Sequence, residues 1–128
     1  MTKAQLLIVE DDGLVAKDIE IMLEKLSYGV AGVAMSGEKA VIKATDLRPD
    51  LILMDIGLRG YLNGIEAAEK IRSRLNIPVV YLTAYGDEDT IEKAKKTKPL
   101  GFLFKPIQED DLSHAIEQAL FKSETGRN

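Results

Sequence analysis

The chain has 128 residues, room for one hydrophobic core and too few for two ordinary domains. Apolar residues make up 45% and charged residues 30%, as in ordinary globular proteins, and a net charge of -4 removes any general attraction to DNA or RNA. With no cysteine there are no disulfides, thiolate metal sites or cysteine nucleophile, which fits a reducing compartment.

The opening stretch MTKAQLLIVEDD has too short an apolar run for a signal peptide, and acids follow it at once. No apolar run approaches a membrane span, so the expectation is a cytoplasmic protein with no membrane contact.

Short apolar runs alternate with helical patterns along the chain. Residues 4–9 predict the first strand, and Val15, Ile19, Met22, Leu23 and Leu26 repeat at helical spacing after it. Gly29 suits the stop of that helix. A second run, 30–35, ends at Ser36-Gly37, and Ala40, Val41, Ala44 and Leu47 mark a second helix stopped before Pro49. The third run, 51–54, is terminated by Asp55. A glycine-rich loop follows, then a helix marked by Ile65, Ala68, Ile71 and Leu75.

Pro78 opens the fourth run, 79–82, which ends at Thr83. A short helix around Ile91 and Ala94 stops before Pro99, and the fifth run, 101–104, ends at Lys105-Pro106. Leu112, Ile116, Ala119 and Leu120 mark the last helix. One domain is expected over 1–122, with a polar, frayed tail over 123–128. Strands that read as continuous apolar runs are buried on both faces. The pattern therefore predicts an α/β fold, a five-stranded parallel sheet flanked by five helices.

The chemistry-bearing residues gather at the carboxyl ends of the strands: Glu10, Asp11 and Asp12 after the first, Asp55 after the third, Thr83 after the fourth and Lys105 after the fifth. Open parallel sheets bind ligands at that edge. Glu10, Asp11 and Asp55 bring about three negative charges to one cleft, against one positive charge from Lys105. A divalent cation cancels the surplus. Oxygen donors without cysteine or a nearby histidine suit Mg²⁺ rather than zinc or copper. A cation beside a carboxylate, a hydroxyl and a lysine makes a phosphoryl-transfer kit. Asp55 is the nucleophile, Lys105 neutralises phosphoryl oxygens and Thr83 donates a hydrogen bond.

The segments LLIVEDD, LILMDIGLRG, VVYLTA and FLFKP together resemble those of response-regulator receiver domains of two-component systems, over about residues 4–122. By analogy with flavodoxin-like sheets, bacterial chemotaxis receivers among them, the strand order is 2-1-3-4-5. The resemblance implies that Asp55 is the phosphoacceptor. It implies a Mg²⁺ site made by Asp11, Asp55 and the backbone carbonyl of Gly57, with Glu10 acting through water. It further implies Thr83 as switch hydroxyl, Phe102 as switch aromatic, and a cis bond between Lys105 and Pro106.

Partners implied are a sensor histidine kinase and a downstream protein that reads the face of the fourth helix, fifth strand and fifth helix. That face also offers a phosphorylation-dependent homodimer. No enzymatic turnover is expected beyond self-directed phosphotransfer and autodephosphorylation. The chain is a stand-alone regulator or a module of a larger regulator or hybrid sensor kinase. Its short fourth helix and the segment KPLGFLFKP resemble receivers found beside sensory and kinase domains.

The sequence departs from the family where many receivers carry Met-Pro and then Asp-Gly after the acceptor. Here the loop reads IGLRGYLNG, without proline and one residue longer, so a more mobile loop is expected. Phe102 lacks a hydroxyl, and Tyr85 stands two positions after Thr83.

Plainer readings apply to several residues. Asp12 alone is a helix N-cap. Asp55 is otherwise a turn residue, and Thr83 a residue of high β-propensity. Lys105 is otherwise a surface lysine, but it lies between an apolar strand and a proline. One of Phe102 and Phe104 is plain core. His114 faces solvent, and Lys93, Lys95, Lys96 and Lys98 make a solvated helix face.

Three other functions compete, of which a degenerate receiver serving only as a binding module is opposed by intact Asp55, Asp11, Thr83 and Lys105. A flavodoxin needs a phosphate-cradling loop after the first strand, and Glu10-Asp11-Asp12 repels phosphate. A phosphatase with an aspartyl nucleophile needs a second acid two residues on, where Gly57 stands.

Overall fold

The computed structural model describes residues 3–84 and 88–125. Five strands alternate with five helices: β1 (Gln5–Val9), α1 (Gly13–Lys25), β2 (Gly29–Ala34), α2 (Gly37–Leu47), β3 (Leu51–Asp55), α3 (Gly64–Arg74), β4 (Val79–Thr83), α4 (Glu88–Lys95), β5 (Gly101–Phe104) and α5 (Glu109–Thr125). The sheet is parallel throughout, in the order β2-β1-β3-β4-β5.

Side chains alternate across a strand, so each central strand feeds two cores. Leu7, Val9, Ile52, Met54 and Tyr81 point to one face and pack with Ala40 and Ala44 of α2, Ala67, Ala68 and Ile71 of α3, and Ala94 of α4. Leu6, Ile8, Leu51, Leu53, Val80 and Leu82 point to the other face, against Ala16, Ile19 and Leu23 of α1 and Leu112, Ile116 and Ala119 of α5. Two covered faces explain the unbroken apolar runs of β3 and β4, every residue of which is buried. The edge strands β2 and β5 are only half-buried, which suits their weaker apolar character.

The helix starts follow the sequence. Asp12 caps α1 by accepting from the N–H groups of Leu14 and Val15. Ser36 caps α2, and Asn63 with Glu66 forms a reciprocal capping box on α3.

Some stops and faces differ. Gly29 does not end α1: Leu26 is the C-cap, Ser27 takes a left-handed φ of 66°, and Gly29 begins β2. Its N–H bonds the Ala4 carbonyl at 2.9 Å, so the ladder claims it. Leu47, at the end of α2, is 45% exposed and lays its Cδ1 over Gly32 of β2, while Ala40 and Ala44 make the close contact with the core. Helix α5 runs past residue 122 to Thr125.

Candidate functional site

Sheet register carries the functional side chains to one edge. Val9 pairs with Met54, Asp55 with Leu82, and Thr83 with Phe104. The ladder continues one residue beyond the strands. The Glu10 N–H donates to the Ala34 carbonyl at 3.0 Å, and the Lys105 N–H to the Thr83 carbonyl at 2.8 Å. Glu10 and Lys105 therefore leave the sheet from fixed backbone positions. A cleft of about 380 Å³ opens there, lined by Glu10, Asp11, Asp55, Gly57, Thr83 and Lys105, with Arg59 also in its wall.

Carboxylate oxygens from Glu10, Asp11 and Asp55 lie within 4.8 Å of one another. Lys105 Nζ lies 2.8 Å from Oε1 of Glu10 and 3.4 Å from Oδ1 of Asp55. Glu10 is fully buried, and its second oxygen, Oε2, has no hydrogen-bond partner among the described residues. Burial, then the nearby Asp55 carboxylate, which repels its charge and favours its protonated form, pushes its carboxyl from the ordinary 4.5 up to about 8, against the pull of Lys105. Burial works to lower the pKa of Lys105. The Glu10 hydrogen bond and the Asp55 and Glu10 charges outweigh that burial, so the ammonium is held above its ordinary value.

One lysine is thus set against three acids, and a buried carboxylate oxygen is left over. That donor set fits a hard divalent cation, which takes oxygen ligands and cancels like charge.

The β3–α3 loop is hydrogen-bonded within itself, to the β1–α1 loop and to α2. Gly57 N–H donates to Asp55 Oδ1 at 3.0 Å, Arg59 N–H to Asp11 Oδ2 at 3.2 Å, and Leu62 N–H to Glu38 Oε1 at 2.6 Å. Leu58 is buried, and Gly60, at φ 106°, makes the turn that only glycine adopts without strain. Sequence reasoning missed Glu38 and Arg59, and the extra residue in the loop was the signal available.

Thr83 is buried, and among the described residues its hydroxyl donates to the adjacent Ala84 carbonyl, at 3.3 Å. Phe102 is half-buried and packs on Tyr81, with ring centroids 5.8 Å apart. The Tyr81 hydroxyl bonds Thr97 Oγ1 at 2.7 Å, and Thr97 Oγ1 donates to the Ala94 carbonyl at 2.7 Å. That chain ties β4 to the C-terminal end of α4. Phe102 and Phe104 share one face of β5, while Leu103 between them enters the core. The Lys105-Pro106 bond is cis. His114 and Lys93, Lys95, Lys96 and Lys98 are exposed. Tyr85 lies outside the described residues.

A doubly wound parallel sheet that gathers three acids, a hydroxyl and a lysine at its carboxyl edge defines a receiver module of two-component signalling. The chain belongs to the response regulator receiver domain family, whose model matches residues 6–117. It is 37% identical over 116 residues to the transcriptional regulatory protein PdtaR of Mycobacterium tuberculosis, covering 91% of this chain and 56% of PdtaR. The chain thus spans about half the length of that curated relative.

Among solved structures, it resembles the signal receiver domain of a modulated diguanylate cyclase from Desulfovibrio desulfuricans G20. The TM-score is 0.92 and the identity 42%, over 98% of this chain and 99% of that one. It also resembles the receiver domain of sensor histidine kinase PA1611 from Pseudomonas aeruginosa PAO1, which has a magnesium ion coordinated in its active site cleft. There the TM-score is 0.84 and the identity 29%, over 94% of this chain and 99% of that one. Among the described residues, no helix is long and apolar enough to cross a membrane.

Proposed function

We propose that this receiver domain accepts a phosphoryl group on Asp55 from a sensor histidine kinase, in the cytoplasm, and so switches a partner-binding face. The observation that carries the reading is Lys105 Nζ reaching both Glu10 and Asp55 above a three-acid cluster. A carboxylate oxygen of Asp55 forms the new P–O bond. The P–N bond of a phosphohistidine breaks, and its electron pair returns to the imidazole nitrogen. Lys105 stands where it neutralises charge gathering on the phosphoryl oxygens.

Mg²⁺ would be held by Asp11, Asp55 and the Gly57 carbonyl, with Glu10 acting through water, and would supply charge neutralisation on the transferring group. The buried, unpartnered Oε2 of Glu10 supports a cation nearby. The magnesium-bearing PA1611 receiver, a similar structure, supports its identity.

Thr83 and Phe102 are read as the switch pair. The face of α4, β5 and α5 then engages a downstream protein or a second copy of the chain. No external substrate is turned over.

A second reading concerns context. PdtaR extends well beyond the matched segment, and two similar structures are receiver domains of a diguanylate cyclase and a sensor kinase. These favour a module that works within a larger regulator or hybrid kinase.

The test is labelling by a small acyl phosphate or a phosphohistidine kinase, read as acid-labile phosphate. Asp55→Asn keeps the shape and removes the nucleophile, so labelling disappears, as it does when Mg²⁺ is chelated. Undiminished labelling of the variant overturns the assignment.

A further inference from the structure

The cleft has a second cation at its mouth, and it is held very differently from Lys105. Arg59 donates its backbone N–H to Oδ2 of Asp11 at 3.2 Å, and its Nε stands 3.8 Å from the same oxygen. The rest of the side chain is in water, 93% exposed. Its backbone is anchored on both sides by buried Leu58 and by the Leu62–Glu38 bond. The loop thus fixes where Arg59 starts and leaves its guanidinium free to swing. Lys105, by contrast, is committed to two carboxylates.

An exposed ion pair of this kind is screened by solvent, so little holds the guanidinium on Asp11. A divalent cation at the acid cluster competes for that carboxylate and releases it. The charge count shows what the release does. With Glu10, Asp11, Asp12 and Asp55 ionised, Lys105 and a divalent cation still leave the cleft with one negative charge in excess. An anionic phosphodonor gains attraction only from a further positive charge, and among the described residues Arg59 is the one in the cleft wall. Its planar fork matches two phosphoryl oxygens, which a point charge does not.

We propose that Arg59 is a positioning residue for the anionic phosphodonor: it rests on Asp11, leaves when the cation binds, and then pairs with the oxygens of the incoming phosphoryl group. The proposal rests on the reading of Asp55 as acceptor.

The experiment compares the full chain with Arg59→Gln and Arg59→Lys. Mg²⁺ affinity is read by NMR amide shifts without any donor. Arg59→Gln binds Mg²⁺ about two- to fivefold tighter, because a competitor for Asp11 is gone. With Mg²⁺ saturating and acetyl phosphate as donor, the second-order phosphorylation constant of Arg59→Gln falls roughly three- to tenfold. Its decline with added salt becomes shallower. Arg59→Lys recovers part of the rate. If Arg59→Gln matches wild type in Mg²⁺ affinity, donor rate and salt dependence while Asp55→Asn loses labelling, Arg59 has no such role and the acceptor reading stands. Labelling that survives in Asp55→Asn removes both.

Discussion

Lys105 Nζ bonds Oε1 of Glu10 at 2.8 Å, while Oε2 of that same carboxylate is buried without a partner among the described residues. Half of the carboxylate is satisfied by the lysine and half is not. A proton or a cation relieves the unsatisfied half, and the choice between them is a matter of pH and Mg²⁺.

The first prediction follows from that competition. Folding raises the Glu10 carboxyl from 4.5 to about 8, so at neutral pH the folded protein keeps a proton that the unfolded chain releases. A raised carboxylate pKa contributes stability below about 4.5, and that contribution is lost as pH rises through about 8. In chelator, the melting temperature therefore falls across this window, by on the order of 15 °C. Saturating Mg²⁺ flattens the fall because the cation replaces the proton, and Glu10→Gln flattens it without Mg²⁺. Thermal melts at a series of pH values decide the matter. A Glu10→Gln profile as steep as wild type would remove Glu10 as the cause.

The second prediction concerns the switch. Among the described residues the Thr83 hydroxyl holds a long bond to the Ala84 carbonyl, and phosphoryl oxygens at Asp55 can recruit it through a stronger, charge-assisted one. Its movement opens space for Phe102, which already packs on Tyr81. Fluoroberyllate with Mg²⁺ should shift the backbone amides of Thr83, Phe102 and α4 as well as those around Asp55. Thr83→Ala should confine the shifts to the cleft. Shifts confined to the cleft in wild type would mean that Asp55 and Phe102 are uncoupled. The population change required is a few kcal/mol at most.

The third prediction tests how the acceptor is seated. Gly64, the first residue of α3, packs against the backbone under Asp55. An added Cβ would run into the Asp55 carbonyl oxygen and stand 2.9 Å from the Asp55 carbonyl carbon and Ile56 Cα. None of these atoms can swing aside as a flexible side chain would. Gly64→Ala should cost about 1–3 kcal/mol in urea denaturation and slow phosphorylation of Asp55 by displacing it. Unchanged stability would show that β3 and α3 yield more easily than this packing implies.

The sequence by itself determined the strand-helix alternation, because burial on two faces and helical periodicity are written in local patterns. It also determined the residue types waiting at the carboxyl ends of the strands, and Asp12 as a cap, since capping is settled within three residues. It could not determine that Ser27 rather than Gly29 turns the chain, that Leu47 is left partly exposed, or that α5 continues to Thr125. Those outcomes depend on which elements pack beside them.

The same holds within the site. Glu10 and Lys105 are 95 residues apart, and their contact exists because β1, β3, β4 and β5 lie in one parallel register. Glu38 holding Leu62, Arg59 over Asp11 and the unpartnered Oε2 of Glu10 arise only when separate loops are brought to one edge. Side-chain chemistry is carried by each residue. Distance, burial and the field that one residue imposes on another belong to the folded arrangement, and only the tertiary structure decided them.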